Sequence, residues 1–134
     1  MAITDLPALS ALRTRMQWHQ ERQRVLAENI SNADTPGYMA KDLREPKLDG
    51  RGIASGGFGA SLAMMQTSSG HVAASGGASF ARDNKVGYET RPTGNNVNLE
   101  DEMLKVSANQ MDYAAATSLY SRSLALLKTA IGKR

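Results

Sequence analysis

The chain has no cysteine. Disulfides and thiolate-held metals are therefore excluded, and any fold must be held by packing and hydrogen bonds alone. Aromatic residues are scarce as well, at 5%, with Trp18, four tyrosines and two phenylalanines as the large core fillers. A deep globular core is not available to such a chain, so long-helix packing or assembly has to supply more of the burial. Long apolar runs are also missing. Nothing approaches the roughly 18 consecutive apolar residues that a membrane-crossing helix needs. The opening stretch MAITDLPALSALRTRMQW lacks the basic patch, apolar core and cleavage site of a Sec-type signal peptide. A formal charge of +3 would permit contact with anionic partners, but the basic residues are scattered among 13 acidic ones, which makes the signal weak.

What is present is periodicity. From residue 99 to 131, alternating steps of four and three fall on Leu99, Met103, Val106, Gln110, Tyr113, Thr117, Tyr120, Leu124, Leu127 and Ile131. That spacing keeps one narrow stripe against a partner helix and predicts a rod roughly 50 Å long. Asn98 stands at the N-cap position, Glu100, Asp101 and Glu102 place negative charge in the first turn, and Lys128, Lys133 and Arg134 place positive charge at the far end.

Residues 6–33 carry a second seam: Leu9, Leu12, Met16, His19, Gln23, Leu26, Ile30 and Ala33. Asp5 and Pro7 mark its start. His19 and Gln23 in this seam, and Gln110 and Thr117 in the other, occupy positions where polar groups can set register at a cost in stability. The helix has to stop before Pro36, with Asn32 expected in the left-handed conformation at its exit and Thr35-Pro36-Gly37-Tyr38 as a type II turn.

Between the helices, residues 44–93 are rich in glycine and serine, which raises the entropy lost on ordering, so most of this middle is expected to be mobile. Residues 38–43 and 85–90 read as possible short extended pieces, and 61–66 as a short helical turn or contact patch. The expectation is a mainly α chain: two long terminal helices forming a coiled-coil-like hairpin or bundle, joined by an irregular middle. Residues 1–35 would hold the first helix, 36–96 the turn and flexible middle, and 97–134 the second helix.

Residues 29–38, Asn-Ile-Ser-Asn-Ala-Asp-Thr-Pro-Gly-Tyr, resemble the signature of the flagellar basal-body rod and hook family, in which a long N-terminal helix ends in a Thr-Pro-Gly-Tyr turn. A second block, Gly-Asn-Asn-Val-Asn-Leu-Glu-Asp-Glu-Met over residues 94–103, is similar to that family's entry into its C-terminal helix. The short chain is most like the proximal-rod members, since hook and distal-rod members carry large insertions. Ser31 departs from the pattern, standing where alanine is common. The resemblance implies a structural subunit of the rod that crosses the periplasm and transmits torque, exported by the flagellar type III apparatus without a cleavable signal. Its implied partners are other copies of itself, other rod proteins, the adaptor between rod and MS ring, and the export apparatus, with no nucleic acid and no membrane insertion. It marks Asn29, Asn32, Thr35, Pro36, Gly37 and Tyr38 as the motif turn. The apolar members of the two seams would be the assembly contacts, with flanking residues such as Trp18, Val25, Leu104 and Leu119 left partly wet in an isolated hairpin.

No enzymatic constellation is expected. His19 and His71 lack zinc-site spacing, and residues 57–62 begin like a dinucleotide loop but lack its third glycine and preceding strand. Neither a cofactor nor a metal is implied. Arg13, Arg15, Arg22 and Arg24 spread over more than one helix face and read as a solvated or subunit-facing surface. The competing reading is a soluble helical adaptor or weak nucleic-acid-binding coiled coil, touching phosphate through that arginine cluster.

Overall fold

The computed structural model describes residues 6–48, 54–55, 80–83 and 89–132. Two helices dominate it: α1, Pro7–Ser31, and α2, Leu99–Ala130. Four two-residue strands lie between them, β1 (Asp42–Leu43), β2 (Lys47–Leu48), β3 (Ala54–Ser55) and β4 (Arg82–Asp83). They form two antiparallel ribbons, β1 with β4 and β2 with β3.

α1 begins with Pro7 in its first turn, where the missing N–H costs nothing because that donor has no helical acceptor. Its exit corrects the sequence reading. Asn32 is not left-handed but sits at φ −105°, ψ 16°. Its Nδ2 donates to the Glu28 carbonyl at 2.8 Å, and its backbone N–H reaches the carbonyls of Glu28 and Asn29. The last carbonyls are thus satisfied without the αL residue that would otherwise do so. α2 starts at Asn98, whose side chain accepts from the backbone N–H groups of Glu100 and Asp101.

The helices run antiparallel, as contacts between Asn29 and Glu102, Gln23 and Asn109, and Gln20 and Tyr113 show. On α1 the buried or half-buried stripe includes Leu9, Leu12, Met16, His19, Gln23, Leu26 and Ile30, with half-buried Ala33 just past the helix end. On α2 the stripe differs from the expected one. Its fully buried residues are Glu102, Asn109 and Ala116, seven residues apart, alternating with half-buried Val106, Tyr113, Tyr120, Leu124 and Leu127. Leu99, Met103 and Ile131 stay 38%, 55% and 56% exposed, and Gln110 and Thr117 are exposed too. Half of the heptad reading holds and its other half moves round by one residue. The reason is chemical: Glu102 and Asn109 find hydrogen-bond partners on α1, and Ala116 lets the backbones approach.

α1 uses a second face as well. Trp18 and Val25, expected to remain partly wet, are buried with Leu43 of β1, and Phe80 packs against them. The Trp18 Nε1–H donates to the Arg44 carbonyl at 2.9 Å, its ring meets His19 edge-on at 4.8 Å, and the Arg22 guanidinium lies 5.2 Å from its centroid. Of the expected extended pieces, 38–43 is a strand only at β1. Residues 84–88 and 61–66 lie outside the described residues, as does most of the glycine-rich middle whose mobility was expected.

Candidate functional site

The two sequence blocks that stand out, 29–38 and 94–103, are brought together at one end of the helix pair. Asn29 is fully buried and uses all four valences of its amide. Nδ2 donates to the Lys41 carbonyl at 2.6 Å and to Glu102 Oε2 at 2.8 Å, while Oδ1 accepts from the Lys41 N–H at 3.0 Å and the Tyr38 hydroxyl at 3.2 Å. One side chain therefore ties the end of α1, the chain leaving it and the first turn of α2.

Asn95 does the same from the other strand of the junction. Only 1% exposed, it donates from Nδ2 to the carbonyls of Asn32 and Thr35 at 3.0 and 2.7 Å, and its Oδ1 accepts from the Val97 N–H at 2.7 Å. Asn96 Oδ1 accepts from the Ala40 N–H at 2.6 Å. The turn beneath is built as its residues demand. Tyr38 N–H donates to the Thr35 carbonyl at 3.3 Å, Pro36 presets the first central position, and Gly37 takes φ +70° at the second. The Gly37 N–H then donates across to the Thr93 carbonyl at 3.0 Å. Gly94, at φ +79°, comes so close that a Cβ there would lie 3.4 Å from the Gly37 Cα.

Electrostatics reinforce the junction. Glu102 is buried with Oε1 2.7 Å from Lys105 Nζ. Lys41 Nζ lies 2.9 Å from Glu28 Oε1 and 5.4 Å from the Tyr38 ring centroid. The hydrogen bond between Lys41 and Glu28 holds the lysine above and the carboxyl below their ordinary pKa, and burial together with the nearby Glu28 charge raises the Tyr38 phenol. Arg22 makes a bidentate pair with Asp42, both bonds 2.8 Å. Burial there favours the neutral Asp42 carboxyl, but the two bonds from Arg22, the Leu43 N–H and the nearby positive charge outweigh it and lower its pKa.

A second polar layer sits farther along the helix pair. Asn109 Nδ2 donates to the His19 carbonyl at 2.9 Å and to Gln23 Oε1 at 3.0 Å, so its Oδ1, 2.7 Å from His19 Nδ1, faces a ring nitrogen that carries the proton. Among the described residues no group of three His, Asp or Glu side chains converges to hold a metal, and no buried side-chain N or O lacks a partner.

Three of the four clustered arginines are paired with carboxylates, and Arg13 is exposed. Arg15 pairs with Glu45, Arg22 with Asp42 and Arg24 with Glu21. The sequence reading placed Asn95, Asn96, Glu102 and Asn109 in no contact, and took Glu102 only as negative charge in the first turn of α2. The first three lie in the second motif block, which was their available signal. Asn109 had none, because alternation by apolarity passes over a buried amide.

An elongated antiparallel helix pair, locked at one end by buried amides and assembled from the two ends of the chain, is the architecture of a structural helical subunit. The comparisons say which kind. A family model described as "Flagella basal body rod protein" matches residues 8–38. The flagellar basal body rod protein FlgB of Salmonella typhimurium is 32% identical over 112 residues, covering 78% of each chain. FlgB of Escherichia coli is 31% identical over 75% of each, and FlgB of Bacillus subtilis 28% identical over 82% of this chain and 81% of its own. The chain belongs to the flagellar basal-body rod protein family, which is structural and not enzymatic.

Proposed function

We propose that the chain is a building block of the proximal part of the flagellar rod, the shaft that carries torque across the periplasm, and that it reaches its place through the flagellar export apparatus. The terminal helices, with residues 1–35 and 97–134, supply the axial core, and the chain turns away from it at the Pro36-Gly37 corner. Its partners are other copies of itself, other rod proteins and the adaptor at the rod's base. The observation that supports this most directly is the clasp. The two blocks that resemble the family fold onto one another through Asn29, Asn95, Asn96 and Glu102, so their occurrence together has a physical meaning in this chain: they set how the core helices leave and re-enter the core.

An in-frame deletion in the source bacterium tests the proposal, scored by swimming and by electron microscopy of isolated basal bodies. Rings without rod or hook, restored by the gene supplied in trans, is the expected result. Normal basal bodies and swimming, with no second copy of the gene present, overturn it.

A further inference from the structure

A groove of about 280 Å³ opens along one flank of the helix pair. Leu12 and Trp18 of α1 and Ala115 and Leu119 of α2 form its apolar walls, and His19 and Asp112 bring polar groups to it. The two cations beside it are already engaged, Arg15 with Glu45 and Arg22 with Asp42. Two acceptors are not. Asp112 is exposed and, among the described residues, forms no hydrogen bond or salt bridge within the chain. His19 is only 5% exposed, and its Nδ1–H is given to Asn109. Its Nε2 therefore carries a lone pair, which no donor of the chain meets. Among the described residues no buried side-chain nitrogen or oxygen lacks a partner, so Nε2 has to open onto the groove that His19 lines. Apolar walls with a carboxylate and a second acceptor suit one kind of occupant, a cation on a long apolar stem.

The chain carries such a group on its other flank. Arg13 is exposed, and of the four arginines clustered on α1 it is the one without a carboxylate partner. Gln20 donates to the Tyr113 hydroxyl across the flank opposite the groove. Arg13, seven residues or two turns before Gln20, shares that flank. Along the helix it stands between Leu12 and Arg15, level with the groove. The exposed cations of α2 are placed differently. Arg122 is one turn from Leu119 on the groove's own side, and Lys128 lies beyond the start of α1 in the register that Gln20 and Tyr113 set.

We infer that Arg13 of one copy enters this groove on the next, its aliphatic stem along Leu12 and Leu119 and its guanidinium between Asp112 and His19 Nε2 of that copy. The contact joins two different flanks. It is therefore heterologous: it does not close on itself as a pair, and it repeats from copy to copy around a wall, as a shaft requires. It rests on the rod reading and concerns subunits already in place, with both helices packed. Leu104, Met111 and Leu126, at 69%, 70% and 67% exposure, continue the α2 wall of the groove as an apolar stripe, which a copy seated there also shields from water.

The chain has no native cysteine, so introduced thiols report alone. A deletion strain carrying the Gln17→Cys, Ala115→Cys double variant supplies basal bodies, in which a short bis-maleimide should link copies into a ladder. Gln17 and Ala115 are exposed, one beside Arg13 and the other in the groove wall, so the recognising groups stay intact. The two thiols sit on opposite flanks of a subunit, so the link runs between copies. In the same strain, Arg13→Asp and Asp112→Arg should each lower the yield of rods per basal body roughly tenfold, and the two in one chain should restore it. A purely structural role would not give that rescue, because the two residues do not meet within a subunit. Basal bodies that hold the protein but give no ladder overturn the inference. So do full rod yield in both charge reversals, no rescue by the pair, or a link from Ala115→Cys alone, whether to its own kind or to a different basal-body protein. Basal bodies that lack the protein overturn the rod reading, and this contact with it.

Discussion

Asn29 Nδ2 and Glu102 Oε2, 73 residues apart in sequence, meet at 2.8 Å inside the helix pair with both side chains almost wholly shielded from water. Removing one partner of a buried charged hydrogen bond leaves the other desolvated and alone. Asn29→Ala is therefore expected to destabilise the fold by about 2–4 kcal/mol, since it also releases both backbone groups of Lys41. Asn29→Asp should cost more, because it places a second carboxylate against Glu102. Urea unfolding followed by far-UV circular dichroism measures both. A loss below about 1 kcal/mol for Asn29→Ala would show that the clasp does not hold the ends together.

That pair also marks where the sequence was legible and where it was not. The two helices, the stop at Pro36 and the cap at Asn98 follow from spacing, ring sterics and side-chain chemistry, and could be read from one chain, whereas spacing left open whether the helices form a hairpin or a bundle. The α1 stripe was legible because its buried positions are mostly apolar. The α2 stripe was not, because its deepest residues are Glu102, Asn109 and a small alanine, and a pattern built on large apolar side chains moves to Met103, Gln110 and Thr117 beside them. The partners that make burial of Glu102 and Asn109 favourable lie on α1, at a distance no local pattern reports. Trp18 and Val25 were misplaced for a similar reason: β1 and Phe80, which cover them, come from the middle, where composition carries little signal.

Gly37 and Gly94, which sit in different blocks, should both be harmed by a side chain, but not equally. Both have positive φ, +70° and +79°, a region that costs an L-residue roughly 1–2 kcal/mol. Gly37→Val should lose about that much, since β-branching adds to the strain while open space surrounds the site. Gly94→Val should lose more, because its Cβ would also press toward the Gly37 backbone at 3.4 Å. Thermal unfolding of the two variants side by side gives the order, and an equal or reversed loss would mean that the close approach of the two blocks has no energetic weight.

Asp42 gives the fold an acid limit. Its pKa in the folded chain lies below that of a free aspartate, held there by Arg22 and the Leu43 N–H against the opposing effect of burial. The folded state therefore binds a proton less readily than the unfolded chain. The stabilisation is fully present above the unfolded aspartate value, near pH 4, and is lost as pH falls through the lower folded value. Asp42→Asn should reduce stability by about 1–3 kcal/mol at neutral pH and flatten the decline below pH 4. An unchanged acid profile in this variant would assign the acid sensitivity to other carboxylates.

The two faces of α2 should separate folding from assembly. Ala116 is 5% exposed at the point where α2 approaches α1, and Ala116→Leu forces extra volume into a filled seam, for an expected loss of about 1–3 kcal/mol. Leu104 and Met111 face outward at 69% and 70% exposure, so at protein concentrations where the chain is monomeric Leu104→Ser with Met111→Ser should leave unfolding within about 0.5 kcal/mol of the parent. Only the second variant tests the rod independently of the fold. Supplied to a deletion strain, it should be made at normal levels yet restore swimming poorly, because a rod subunit has to bury that stripe against a neighbour. Full swimming with this variant would place the rod contacts elsewhere on the chain, while poor swimming with unchanged stability would separate assembly from folding on a single helix.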